Sequence, residues 1–262
     1  MKISFKQFLK ETILEDITMV DGKVRISTQH YKAGSNKEAI STYFRGQPYV
    51  THISGTDADI YSLLNYVTSE VSTDALKAIK SGNVNEKQFS AFMYDIKAAA
   101  SIIVKRIKPD IIIYPKSSSS LLKQFVDDIS SAYPTAEVLS DRFIKVALDA
   151  EKVEALINTD HPAWKKFAEE NPKRVKELKQ SLKTNIMKGE LQMKNLYKPN
   201  LKFVKNFIEL KDAYEVLEKV IDQNILVVDD ILSSGSTMAE MIRQLSEMEP
   251  ANITGLTMFK HV

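Results

Sequence analysis

The stretch Ile225–Thr237, ILVVDDILSSGST, decides how this chain is read. Ile225, Leu226, Val227 and Val228 form an unbroken aliphatic run, the composition of a central parallel strand covered on both faces. Asp229 and Asp230 follow at its carboxyl end, where open α/β sheets place their ligands. Ser233 to Thr237 then supply backbone N–H groups and four hydroxyls just before a helical pattern that begins near Met238. Unpaired N–H groups at the positive end of a helix dipole make such a turn a seat for a phosphate. Gly235 suits a point where backbone must approach a ligand or adopt positive φ.

The same order of strand, turn and helix occurs upstream. A long helix is expected from Asn85 to Arg106, capped by Asn85 and stopped at Pro109. Asp110–Tyr114 (DIIIY) reads as the next buried strand, followed by the polar turn from Pro115 to Ser120 and a helix over Leu121–Ser131. Val138–Val146 and Leu201–Leu210 are further strand candidates, Asp212–Val220 a short helix, and Ile253–Phe259 the strand that closes the sheet. Alternation over 90–262 predicts an α/β fold with a doubly wound, mostly parallel sheet. Ala147 to Asn200 departs from it, being rich in Lys and Glu, helical in pattern and broken at Pro162, Pro172 and Pro199. We read it as a helical insertion, 147–200, of the kind that forms a lid, a binding loop or a partner surface. Ahead of the core, residues 1–85 read as an N-terminal α+β extension. It comprises an amphipathic helix over Met1–Val20, strands Val24–Ser27 and Tyr49–Ile53, and helices Asp57–Ser69 and Thr73–Lys80. The expected organisation is therefore an extension, 1–85, and a core, 86–262.

Four hydrophobic residues, two acids, two hydrophobic residues and small hydroxylated residues around a glycine resemble the ribose-5-phosphate signature of type I phosphoribosyltransferases. These enzymes use phosphoribosyl pyrophosphate (PRPP). The resemblance implies that Asp229 and Asp230 bind the ribose 2- and 3-hydroxyls directly or through Mg²⁺, and that Ser233, Ser234, Gly235, Ser236 and Thr237 hold the 5-phosphate. Neighbouring strand residues face opposite ways, and Asp230 is the safer direct ribose contact. The loop after the first core strand would bind pyrophosphate, which assigns Lys116, Ser117, Ser118 and Ser119 to that task. A mobile basic loop would close over it, with Arg142, Lys145 or an insertion lysine as candidates. The acceptor would be a nucleobase or similar small molecule, and such enzymes often form homodimers. With the chain ending at Val262, a hood over the acceptor is expected from 1–85, from the insertion, or from both. Tyr31, Phe44, Arg45 and Tyr49 are candidates to stack on a base, against a core role for the aromatics. Trp164 reads as a packing anchor.

Composition sets the frame. The formal net charge of +2 over 262 residues is too small to argue for nucleic acid or an anionic membrane. Zero cysteines exclude disulfides and thiolate metal sites, and His30, His52, His161 and His261 show no metal-ligand spacing. No apolar run approaches the roughly 20 residues of a spanning helix. Lys2, Lys6, Lys10, Glu11 and Glu15 interrupt any signal-peptide core, so a cytoplasmic protein is expected. Met1–Glu11, MKISFKQFLKE, resembles the leader of internal head proteins of T-even-like phages, with Leu9-Lys10-Glu11 at the Leu-x-Glu maturation site. An ordinary first helix accounts for the same residues. On the leader reading the setting is a host cytoplasm or a virion. Three functions stay open at this point: a phosphoribosyltransferase, a non-catalytic PRPP or nucleotide sensor, and a virion or host-interaction protein on the same fold.

Overall fold

A computed structural model describes residues 13–20, 23–30, 41–43, 49–52, 56–66, 79, 86–117, 120–146, 150–187 and 196–261. In chain order its elements are β1 (Ile13–Val20), β2 (Lys23–His30), β3 (Ser41–Tyr43), β4 (Tyr49–His52), β5 (Asp59–Tyr66), α1 (Glu86–Ile107), β6 (Ile111–Pro115), α2 (Ser120–Ala132) and β7 (Glu137–Lys145). There follow α3 (Trp164–Glu170), α4 (Pro172–Met187), β8 (Ile208–Leu210), α5 (Ala213–Val220), β9 (Asn224–Leu232), α6 (Ser236–Ser246) and β10 (Asn252–His261). Short 3₁₀ turns at Ala150–Leu156 and Lys198–Phe203 flank α3 and α4.

All the described strands join one mixed sheet. Its centre is parallel, in the order β5, β10, β9, β6, β7. Antiparallel β8 extends it beyond β7, and the far edge of β5 carries β4 and β3, with the β1–β2 hairpin continuing from β3. The α/β, mostly parallel architecture is as the alternation predicts.

Strand residues sort by parity onto two cores. Ile112, Tyr114, Leu226 and Val228 pack against α1 and α2, while Ile111, Ile113, Ile225 and Val227 pack against α5 and α6. Leu226, Val227 and Val228 are each fully buried, which stabilises the sheet by roughly 1.5–3 kcal/mol per side chain. Helices on both faces are what a strand that is apolar at every position requires. After β6 the chain steps one way to β7, then returns to the other side of β6 as β9. The winding reverses between β6 and β9, and that reversal opens a crevice over their carboxyl ends.

The insertion has a neck. Ile157 bridges Val204, Asn158 N–H donates to the Phe203 carbonyl at 2.8 Å, and Lys205 N–H donates to the Leu156 carbonyl at 2.8 Å. Beside the neck, Phe203 meets Trp164 at 5.3 Å, Phe167 at 4.5 Å and His161 at 5.2 Å between ring centroids. Trp164 is thus the packing anchor its surroundings suggested.

Three expectations are corrected. The helix expected over Met1–Val20 is strand β1 from Ile13 onward, and the leader-like residues lie outside the described ones. The helix expected over Asp57–Ser69 is β5, zipped in parallel to β10 from Asp59↔Thr254 to Tyr66↔His261. The Leu201–Leu210 strand is a 3₁₀ turn to Phe203 followed by the three-residue β8. In addition, β10 lies inside the sheet, between β5 and β9, and is no edge. The helix expected at Thr73–Lys80 falls outside the described residues apart from Ile79, which is helical and buried. No helix among the described residues is long and apolar enough to cross a membrane.

Candidate active site

The site starts where β9 ends. Asp230 is buried at 7 % exposure, whereas Asp229 is half-buried, so the more accessible carboxylate of the pair is that of Asp229. Its Oδ1 accepts the Asp230 N–H at 2.8 Å, and both residues make further interactions. The pleat changes phase here: Val228 belongs to the core under α1 and α2, and Ile231, three residues on, packs against that same core. Asp229 also pairs in register with Thr257 of β10, which pairs with Ser62 of β5. The Ser62 and Thr257 hydroxyls are fully buried and 2.8 Å apart, forming a polar row that leads across the sheet to the acid pair. No local pattern marks that row, because its members come from three strands.

The serine-rich turn around Gly235 follows. Ser233 and Ser234 are exposed, and Gly235 caps α6 with φ 76° and ψ −3°, a left-handed conformation that side-chain-bearing residues avoid. The first i→i−4 bond of α6 runs from Ala239 N–H to the Gly235 carbonyl at 2.8 Å. The N–H groups of Ser236, Thr237 and Met238 therefore precede the intrahelical ladder. Ser234 Oγ lies 2.9 Å from Ser236 Oγ and accepts the Ser236 N–H at 3.4 Å. A compact set of hydroxyls and N–H groups is gathered at one helix end.

On the next strand, β6 pairs with β9 through Ile113↔Val227, so Lys116 and Asp230, each three residues on, leave the sheet at the same edge. Lys116 is exposed, and its N–H donates to the Phe143 carbonyl at 2.8 Å, fixing the loop against β7. Ser117 is exposed and makes a further interaction; Ser118 and Ser119 lie outside the described residues. Behind the loop, burial pushes the Tyr114 phenol above its ordinary value, helped by the charge of Asp141, so Tyr114 meets the site as a neutral group. Of the two basic candidates on β7, Arg142 is engaged elsewhere: its Nη1 is 2.6 Å from Asp212 and its Nη2 2.9 Å from Glu215, both on the α5 side. Lys145 is exposed, two residues beyond Phe143, the register partner of Pro115.

A cavity of about 410 Å³ adjoins the same turn on the α6 side. Ser233 to Ser236 form one wall; Asn158 and His161 of the insertion, Lys202 of the 3₁₀ turn after it and Thr51 of β4 form another. The acid pair and Lys116 do not line it. His161 is buried, and its Nδ1 accepts the Ala163 N–H at 3.1 Å, which puts the proton of the neutral ring on Nε2. Arg243, also on the wall, is held charged by its hydrogen bonds to Glu240, with the charges of Glu240 and Glu247 reinforcing them. These residues were not legible in the sequence, since the cavity wall is drawn from five distant segments. Of the stacking candidates, Tyr31, Phe44 and Arg45 lie outside the described residues, and Tyr49 begins β4. His52 is exposed, 3.2 Å from Asp59.

Among the described residues no three His, Asp or Glu side chains converge as a metal cage. The oxygen donors of Asp229 and Asp230 suit Mg²⁺ in the way that ion is often held, by one or two carboxylates with the remaining positions left to ligand oxygens and water.

A doubly wound sheet with acids and a hydroxylated helix-capping turn at its switch point defines the class of α/β proteins that hold phosphorylated ligands at a strand end. Within that class, residues 87–261 match the phosphoribosyl transferase domain, and the chain belongs to that family. No curated protein matches it.

Proposed function

We propose that this protein binds PRPP with Mg²⁺ and transfers the phosphoribosyl group to or from a nucleobase or a similar acceptor. One observation carries the reading. The Gly235 turn, with its N–H groups and serine hydroxyls, stands beside Asp229 and Asp230 at the switch-point crevice, and the Lys116 loop faces it from the adjacent strand. Family membership over 87–261 supports it.

In the reaction the bond from ribose C1 to the pyrophosphate oxygen breaks, and its electron pair leaves with pyrophosphate. An acceptor nitrogen supplies the pair that forms the new bond to C1. Such a step asks the protein for positioning and charge balance rather than for a covalent partner. Ser233 to Thr237 anchor the 5-phosphate and fix the ribose. Asp229 and Asp230 hold the 2- and 3-hydroxyls and the Mg²⁺, which supplies positive charge to the departing pyrophosphate when bound. Lys116 and Ser117, with Ser118 and Ser119 beyond them, receive that pyrophosphate, and Lys145 is the basic residue on β7 best placed to join them. The hood over the acceptor comes from the 1–85 extension, from the insertion, or from both. Proteolysis of the insertion that PRPP and Mg²⁺ fail to slow would remove its role as a lid.

Isothermal titration of PRPP with Mg²⁺ into the native protein and into Asp230→Ala and Asp230→Asn tests the ligand. Equal heats in all three would end the reading. Pyrophosphate release measured across a panel of bases then distinguishes an enzyme from a sensor.

A further inference from the structure

The segment from α3 to the neck carries a charge that the rest of the protein does not share. Residues 164–205 hold twelve of the 36 Lys and Arg but only four of the 34 Asp and Glu, leaving 24 basic against 30 acidic residues elsewhere. A net charge of +2 therefore hides a cationic segment on an acidic body.

The fold puts part of that charge on one surface. Helix α4 buries Leu178, Leu182 and Ile186 and turns Lys173, Arg174, Lys176 and Lys183 outward. Lys179 is paired with Glu154 at 2.7 Å. Among the described residues, none of Lys173, Lys176 and Lys183 has a carboxylate within ion-pair distance. Lys173, Lys176, Gln180 and Thr184 recur at helical spacing along a groove of about 520 Å³, with Glu177 its one acid. A row of lysines by itself is a solvated face. Here an aromatic platform stands in the same segment: Tyr197 is 58 % exposed, and the Arg174 guanidinium lies 5.7 Å from its ring centroid.

We propose that the outer face of the insertion binds single-stranded nucleic acid, with Lys173, Lys176 and Lys183 on the backbone and Tyr197, backed by Arg174, stacking on a base. Cationic grooves combined with exposed aromatic rings are how proteins hold single strands without reading sequence. Unpaired strands are favoured because a duplex keeps its base faces covered. A membrane fits less well, since the apolar stripe of α4 is already packed inside the protein. The surface is independent of the PRPP reading.

Fluorescence anisotropy with labelled oligothymidylate and oligouridylate of about fifteen nucleotides tests the proposal. Binding is expected to weaken with salt at a log–log slope of about −2, the value for three neutralised phosphates on a single strand. The triple variant Lys173→Ala/Lys176→Ala/Lys183→Ala loses about tenfold or more at low salt and most of that slope. Tyr197→Ala loses at least about fivefold and keeps the slope. Because all four positions are exposed and alanine is a strong helix former, thermal midpoints should stay in place. Absence of binding at about 50 mM salt would overturn the proposal, as would Tyr197→Ala binding like the native protein. Vesicles rich in anionic lipid that bind as tightly as the oligonucleotides, with the same response to the variants, would also overturn it.

Discussion

Replacing Glu240 with alanine probes what holds α6 to the insertion. The Glu240 carboxylate is 3 % exposed. It accepts the Asn206 N–H at 2.9 Å, Arg243 Nε at 2.9 Å, Arg243 Nη2 at 2.8 Å and Gln244 Nε2 at 2.9 Å. Asn206, in the left-handed region at φ 58°, is the loop residue that also donates to the Ala155 carbonyl at 3.0 Å, so one carboxylate ties α6 to both ends of the insertion's neck. Breaking a buried ion pair by deleting one partner costs about 3–5 kcal/mol. Arg243 keeps 28 % exposure and its contact with Glu247, and solvent relieves part of that loss. We expect a cost of about 2–4 kcal/mol, which for a chain of this size lowers the thermal midpoint by roughly 5–15 °C. Glu240→Gln retains an acceptor oxygen and should fall between. A cycle with Arg243→Met should return a coupling above about 1 kcal/mol. Calorimetry or urea unfolding reads all of this. A Glu240→Ala midpoint within about 1 °C of native would refute the idea that this carboxylate clamps the insertion.

Three further outcomes follow from the geometry. Gly235→Ala forces a Cβ onto φ 76° and should cost about 1–2 kcal/mol of stability; titration with PRPP should show a greater loss of affinity than Gly235→Asn, which tolerates that conformation better. Gly255→Ala would set its Cβ 2.8 Å from Ile60 Cγ1 and should cost about 1–3 kcal/mol. Adding Ile60→Ala should relieve it, so that in urea unfolding the double variant is more stable than the sum of the single effects requires. The Tyr114 phenol is raised above its ordinary value near 10 by burial, so on raising the pH the unfolded chain loses that proton first. Stability is therefore full below pH 10 and falls as the pH climbs through the folded value. Tyr114→Phe should make the alkaline fall shallower in pH-dependent unfolding, and an unchanged profile would contradict the assignment.

Legibility differed along the chain for physical reasons. Ile225–Val228 could be read because a strand covered on both faces needs apolar side chains at every position, and the acids and serines after it break that run abruptly. Asp59–Tyr66 (DIYSLLNY) could not. Its apolar residues at 60, 63 and 64 satisfy a helical repeat as well as a buried strand, and a short run does not separate the two. What selects the strand is β10: the missing side chain of Gly255 leaves room for Ile60, and Thr257 offers Ser62 its hydrogen bond. Ile13–Val20 is ambiguous in the same way, and pairing with β2 and β3 resolves it.

The sequence alone determined the elements whose chemistry is local. These are the buried strands of the core, the glycine that must turn left-handed, the hydroxyls and acids beside it, and the helical character of the insertion. Tertiary structure decided whatever depends on partners far along the chain. It chose strand over helix at β5, directed Arg142 to α5, built the cavity wall from five segments and gathered lysines onto one face of a nearly neutral protein. Backbone preferences act over a few residues, whereas pairing, burial and charge segregation exist only once distant segments meet.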